Sequence, residues 1–204
     1  MPNPNLRQVV IVLDRSGSMV TVKADTEGGL KTFLEAQREA PGDTIVSLYQ
    51  FDTDYEAVYE NKALADVPDY VLEPRGGTAL LDAIGRTIAT VKSQIKARDK
   101  DDRPGEVILV ILTDGEENSS REYTLQAVKD LIEKRRAKGW QVLFLGADQD
   151  AFTVAAGMGI DRGTTLSYAS AHTSGAMTAA GKMSVRGSAS GLYEFTDDER
   201  QATA

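Results

Sequence analysis

VVIVLDRSGSM, residues 9–19, runs from five consecutive apolar side chains into a polar turn that contains a glycine. A continuous apolar run of that length suits a central parallel strand, buried on both faces, whose carboxyl end opens into a crevice. Asp14, Ser16 and Ser18 then alternate along the turn and project from one loop. An acid and two hydroxyls so placed are the kind of oxygen set that opens a site for a hard cation. Read alone, Ser16, Gly17 and Ser18 serve equally well as a turn that caps the next helix. Two later stretches bear on the choice: GGTAL at residues 76–80, and ILTDGEEN at residues 111–118, where a second acid again follows an apolar run.

Around these stretches the pattern alternates between strand and helix. Strand-like runs at Val9 to Leu13, Ile45 to Phe51, Val107 to Leu112 and Trp140 to Leu145 are separated by segments with helical spacing, which predicts an α/β fold. The clearest helix follows Thr78: Leu81, Ile84, Ile88, Val91 and Ile95 step by three and four and need a sheet to cover them. A second is predicted from about Glu122 to Lys138, with Leu125, Val128 and Ile132 inward and Gly139 closing its end. A helix between Val20 and Arg38 is weakened by Gly28 and Gly29, at about 1 kcal/mol each relative to alanine, and the pair is expected to permit close packing against the sheet. FDTDYEAVY at 51–59 reads as a tight turn between antiparallel strands, with Asp52 and Asp54 as turn residues. RDKDDRPG at 98–105 reads as a charged loop ending in a Pro-Gly turn. The expected architecture is a doubly wound, mostly parallel sheet of about six strands with one antiparallel edge strand and helices on both faces.

Composition narrows the class. At 204 residues the chain suits one domain, expected over residues 1–170, and residues 171–204 are read as a tail rich in Ala, Gly, Ser, Thr and Met with too little apolar bulk for a core of its own. Weak helical segments are expected in that tail at Ser174 to Val185 and after Thr196, whose spacing to Glu199 is that of a capping box. A net charge of -8 disfavours nucleic acid and anionic membrane surfaces, both of which need a basic stripe. The absence of cysteine removes disulfides and thiolate metal sites, and with the polar opening MPNPNLRQ it makes the cytoplasm the expected compartment.

DRSGSM, GGTALLDAIG and ILTDGEENSS, in that order, resemble a von Willebrand factor A domain with its metal-ion-dependent adhesion site, and within that family the small bacterial and phage-borne intracellular group. The resemblance covers about Gln8 to Tyr168. It implies that Ser16, Ser18 and Thr78 coordinate Mg²⁺ or Mn²⁺ directly through their hydroxyls, and that Asp14 and Asp114 hold the ion directly or through water. It also implies a protein partner whose Asp or Glu carboxylate fills the open position, and an association with AAA+ ATPases or larger assemblies. The partner surface is expected to be neutral or basic, because Asp14, Asp114, Glu116 and Glu117 line the crevice with negative charge.

Arg15, Arg75 and Arg121 are candidates to pair with a partner's acids, although a loop arginine is ordinarily solvated. Asp148 and Asp150 read as caps, Glu116 and Glu117 as tuning or solubilising charges, and His172 as a surface side chain. Catalysis is not expected. Ser16 stands where haloacid-dehalogenase-type phosphatases carry their second acid, and no phosphate loop, dinucleotide turn or nucleophile elbow occurs. Two alternatives stay open: a magnesium-dependent hydrolase with Asp14 or Asp114 as general base, and a structural component of a phage or bacterial assembly whose contacts come from the tail.

Overall fold

A computed structural model describes residues 1–148 and 150–204. Six strands form one sheet: β1 (Asn3–Asp14), β2 (Asp43–Phe51), β3 (Tyr55–Ala63), β4 (Pro104–Thr113), β5 (Gln141–Ala147) and β6 (Thr165–Tyr168). Their order is β3-β2-β1-β4-β5-β6, with every pair parallel except β2 and β3. The reversed edge strand is the one expected from residues 51–59. β1 and β4 are neighbours, and the connections leave them toward opposite edges of the sheet. Their carboxyl ends therefore lie at the switch point where an open α/β sheet has its crevice.

Helices α1 (Lys23–Ala36), α2 (Leu80–Ala97), α3 (Leu125–Arg136), α4 (Ala151–Gly157), α5 (Thr173–Ser190) and α6 (Asp197–Gln201) complete the fold. The alternation of side chains along a strand divides the apolar residues of β1. Val9, Ile11 and Leu13 join Leu30 and Phe33 of α1 and Met177 and Met183 of α5 on one face. Val10 and Val12 join Ile84 and Ile88 of α2, Val128 of α3 and Ala155 of α4 on the other. No helix among the described residues is long and apolar enough to cross a membrane.

Several elements differ from their sequence reading. Gly17–Val22 forms a 3-10 turn before α1 begins, so the first helix is shorter than predicted. Its two glycines act differently. A methyl group on Gly29 would lie 3.0 Å from both Ser174 Cα and Met177 Cβ, so the close approach is to α5 rather than to the sheet, while Gly28 has nothing within 4 Å. Pro104 and Gly105 open β4 rather than forming a turn. A proline is tolerated at the first residue of a strand, and a side chain on Gly105 would collide with the Asn3 carbonyl oxygen at 2.7 Å. Leu125 is half exposed although it lies on the same face as Val128 and Ile132, because it is the first residue of α3, directly after the cap Thr124. The tail helix α5 runs longer than expected and buries Ala176, Met177, Ala180 and Met183 in the same core as β1. The capping box of Thr196 and Glu199 forms as read.

Candidate metal centre

Asp14 is the last residue of β1, and its register places it beside Phe51 of β2 and next to the end of β4. It is 0% exposed. One carboxylate oxygen accepts the Ser16 backbone N–H at 2.7 Å and the other accepts the Thr113 hydroxyl at 2.6 Å. Burial raises its pKa to about 6, against the opposing pull of the bonds from Thr113 and Ser16 and with a small push from Asp114. A carboxylate so desolvated favours a cation beside it.

The turn after Asp14 brings the two serine hydroxyls to 3.0 Å from each other, and Ser18 Oγ donates to Asp114 Oδ1 at 2.6 Å. Asp114 follows β4 immediately, and burial raises its pKa despite that bond. Thr78 is buried at the start of α2. A methyl group on Gly115 would lie 2.8 Å from Thr78 Oγ1 and 3.6 Å from Ser18 Oγ, so only a glycine leaves the space between those two hydroxyls open. The structure thus brings Asp14, Ser16, Ser18, Thr78 and Asp114 together from three loops. The polar side-chain atoms of all five are oxygens, the donor type that Mg²⁺ and Mn²⁺ prefer. Among the described residues no group of three or more His, Cys, Asp or Glu is placed to hold a metal. A cation here would rest on neutral hydroxyls as much as on carboxylates.

The loop after Asp114 is fastened to the start of α2. Asn118 Oδ1 accepts the Thr78 N–H at 2.9 Å, and the Thr78 carbonyl accepts the N–H groups of Asn118 and Ser119 at 3.0 and 3.2 Å. Glu117, read from sequence as a tuning charge, accepts the Leu81 N–H at 2.9 Å and the N–H groups of Ser119 and Ser120 at 2.9 and 2.7 Å. It therefore caps α2 from outside, which explains why Ala79, the residue preceding that helix, supplies no side-chain cap. Asp82 reciprocates by accepting the N–H groups of Arg121, Glu122 and Tyr123 at 2.8, 2.9 and 2.8 Å.

Two of the three arginines, Arg15 and Arg75, are not placed as expected. Arg15 is 4% exposed and pairs with Asp52 at 2.8 Å and Glu56 at 2.9 Å. Arg75 pairs with Asp52, Asp54 and Glu56. Both are internal ties rather than free rim charges, and Asp52 is a buried ionic partner rather than a simple turn residue. Arg121 is exposed. Asp150 caps α4 by accepting the Thr153 N–H at 3.1 Å, and Asp148 accepts the Ser170 N–H at 3.0 Å. Glu116 and His172 are exposed. Sequence reasoning missed Thr113, Asn118 and the supporting role of Asp52, since their contacts depend on strand register and loop folding rather than on local spacing.

The doubly wound sheet has an oxygen-lined crevice at its switch point, and the sequence matches one family of such sheets. The von Willebrand factor type A domain model matches residues 8–168, and the chain belongs to that family. No curated protein matches the sequence. The fold is similar to that of proximal thread matrix protein 1 from the mussel byssus, with a TM-score of 0.66 and 16% identity over 85% of this chain and 46% of that one. A zinc-occupied form of the same mussel protein, with the metal in its MIDAS motif, is similar at a TM-score of 0.58 and 16% identity over 85% and 46%. The ArnB paralog VWA2 of Sulfolobus acidocaldarius is similar at 0.57 and 20% identity over 85% and 44%. The chain spans less than half the length of each of these structures.

Proposed function

We propose that the chain is a divalent-cation-dependent protein-binding module in which Asp14, Ser16, Ser18, Thr78 and Asp114 hold Mg²⁺ or Mn²⁺. A partner's Asp or Glu carboxylate completes the coordination. The observation that carries this reading is the donor set: two carboxylates and three hydroxyls converging at the carboxyl edge of β1 and β4. Neutral hydroxyls transfer little charge, so a bound ion keeps its attraction for an anionic ligand. The mussel relative with zinc in its MIDAS motif supports a divalent ion at this place in the fold.

Charge shapes the partner. Arg15 and Arg75 are neutralised by Asp52, Asp54 and Glu56, and Glu116 is exposed near the crevice, so the rim keeps the negative character of a chain at -8. The partner carboxylate therefore arrives within a neutral or basic surface. Catalysis is a weaker reading, because Ser16 stands where a haloacid-dehalogenase-type phosphatase carries its second acid and no phosphate loop, dinucleotide turn or nucleophile elbow accompanies the two carboxylates.

Titration calorimetry tests the assignment. One Mn²⁺ or Mg²⁺ is expected per chain, lost in Asp14→Ala and Thr78→Ala with unchanged circular dichroism. Ion binding by the variants equal to that of the wild type refutes the site, and hydrolysis of phosphomonoesters that disappears in Asp114→Asn refutes the binding-only role.

A further inference from the structure

We propose that Asp52 and Arg15 form a buried positioning pair that sets the spacing of the loops carrying Ser16, Ser18 and Thr78; the proposal rests on reading those hydroxyls as ion ligands. The juxtaposition follows from register. Asp14 of β1 lies beside Phe51 of β2, so the next residues, Arg15 and Asp52, leave the two strands side by side. Asp52 is 0% exposed, and its Oδ2 accepts a hydrogen bond from Arg75 Nε at 2.7 Å and lies in an ion pair 2.8 Å from Arg15 Nε.

Backbone bonds extend the tie to all three loops. The Asp52 carbonyl accepts the N–H of Ala79, the residue after Thr78, at 2.9 Å. Arg15 donates its N–H to the Phe51 carbonyl at 2.8 Å and accepts the Arg75 N–H at 2.8 Å, while Gly17 donates to the Gly76 carbonyl at 3.2 Å. Asp52 also folds its own turn by accepting the Asp54 N–H at 2.6 Å. One acid thus touches the serine loop through Arg15, the GGT loop through Arg75 and Ala79, and the turn after β2. The GGT loop has no element of its own to hold it in place, since residues 67–79 carry no helix or strand.

Charge gives the pair a second effect. Arg15 is the immediate neighbour of Asp14 and Ser16, and an unpaired guanidinium there would repel a cation. Asp52 and Glu56 absorb that charge. Asp52→Asn keeps the shape, removes the carboxylate charge and leaves two guanidiniums short of a partner, one of them buried. Groups that orient metal ligands without touching the metal change affinity by roughly 10- to 100-fold when replaced.

The test uses the full chain, with Asp52→Asn set against Glu106→Gln. Glu106 lies at the far end of β4, where it accepts from Ser188, and serves as a control for a general loss of stability. Mn²⁺ affinity is read by electron paramagnetic resonance, and amide exchange at Gly17, Arg75 and Ala79 is read in ion-free protein. Asp52→Asn is expected to weaken Mn²⁺ roughly 10- to 100-fold and to speed exchange at those three amides, while Glu106→Gln leaves both near wild type. Unchanged affinity in Asp52→Asn, or equal losses in the two variants at equal melting temperature, overturns the proposal. If the wild type binds no Mn²⁺, the ion-site reading falls separately, and the exchange rates still decide the positioning role: acceleration sustains it and unchanged rates overturn it. Should Asp52→Asn fail to fold, Arg75→Gln at the half-exposed end of the same network must shift affinity and exchange in the same direction by a smaller factor, or the proposal fails.

Discussion

Replacing Gly28 and Gly29 by alanine, one at a time, should move stability in opposite directions although the two are adjacent in the same helix. Each substitution gains the same helix propensity, about 0.8 to 1 kcal/mol, because glycine in a helix interior loses more backbone freedom on folding. At Gly28 a new methyl group meets nothing within 4 Å, so the gain stands alone. At Gly29 it would lie 3.0 Å from Ser174 Cα and Met177 Cβ and 3.1 Å from Met177 Cγ. The methionine tip has freedom to turn aside, but a backbone Cα and a Cβ move only with α5 itself. Overpacking of this kind costs about 1 to 3 kcal/mol. The propensity gain cancels between the two variants, so Gly28→Ala should be the more stable by about 1 to 3 kcal/mol. For a chain of this length that gap is roughly 2 to 12 °C in melting temperature. Urea unfolding at constant slope provides the check on free energy. Coincident melting curves, or a higher midpoint for Gly29→Ala, would show that α5 does not rest on Gly29 in this way.

Further outcomes follow from the loop fastened to α2. Burial raises the pKa of Asp82, but the N–H groups of Arg121, Tyr123 and Glu122 outweigh it and hold the pKa below the ordinary aspartate value. The carboxylate therefore stabilises the fold at every pH above the ordinary aspartate range and ceases to do so as the pH falls through that range and below it. Asp82→Asn should cost about 2 to 4 kcal/mol at neutral pH and show a flatter acid limb in denaturation; an unchanged pH profile would remove Asp82 from this role. Glu117→Gln keeps the acceptor on one side only and should cost about 1 to 3 kcal/mol, with faster amide exchange at Leu81, Ser119 and Ser120 as the readout.

The fold and the candidate ligands Asp14, Ser16 and Ser18 were legible because their signals are local, whereas Thr78 and Asp114 entered as candidates through the family resemblance. VVIVL announces a strand buried on both sides, and DRSGSM places an acid and two hydroxyls within one turn. The stripe from Leu81 to Ile95 needs a sheet, and Ile84, Ile88 and Val91 are buried as it requires, while Leu81 and Ile95 are only partly buried against the same core. What stayed hidden depends on distant partners. Nothing near Asp52 in the sequence distinguishes a turn aspartate from the buried mate of Arg15, since the pairing exists only once β2 sits in register beside β1. Glu117 and Asp82 lie in separate segments, and each finds backbone donors in the other's segment through loop folding alone. α5 was underestimated for another reason: its buried face is built from Ala, Gly, Ser and two methionines, which read as weak apolar content.

That composition is the means by which α5 closes the fold. Small side chains let two helices approach closely, and Gly29 on α1 and Gly181 on α5 are both sites where an added methyl group would crowd the other helix. The same helix carries polar groups at its far end. Arg7, 2% exposed, donates to Ser188 Oγ at 3.0 Å and to Gln37, while Ser184 Oγ donates to Gln37 at 3.1 Å and Ser188 Oγ to Glu106 at 2.9 Å. Tyr193 also donates to Glu106. The alanines and glycines of α5 give its apolar face little relief, so outside the contacts of Met177 and Gly181 packing restrains sliding along α1 only weakly. Buried polar groups do not tolerate such a slide, since each would lose its partner at a cost of about 1 to 3 kcal/mol. The polar contacts with β1, β4 and α1 therefore fix the register that the small residues leave open. Residues 173–190 enter the core as a helix held at one end by hydrogen bonds and along its length by close approach, although the family match ends at residue 168.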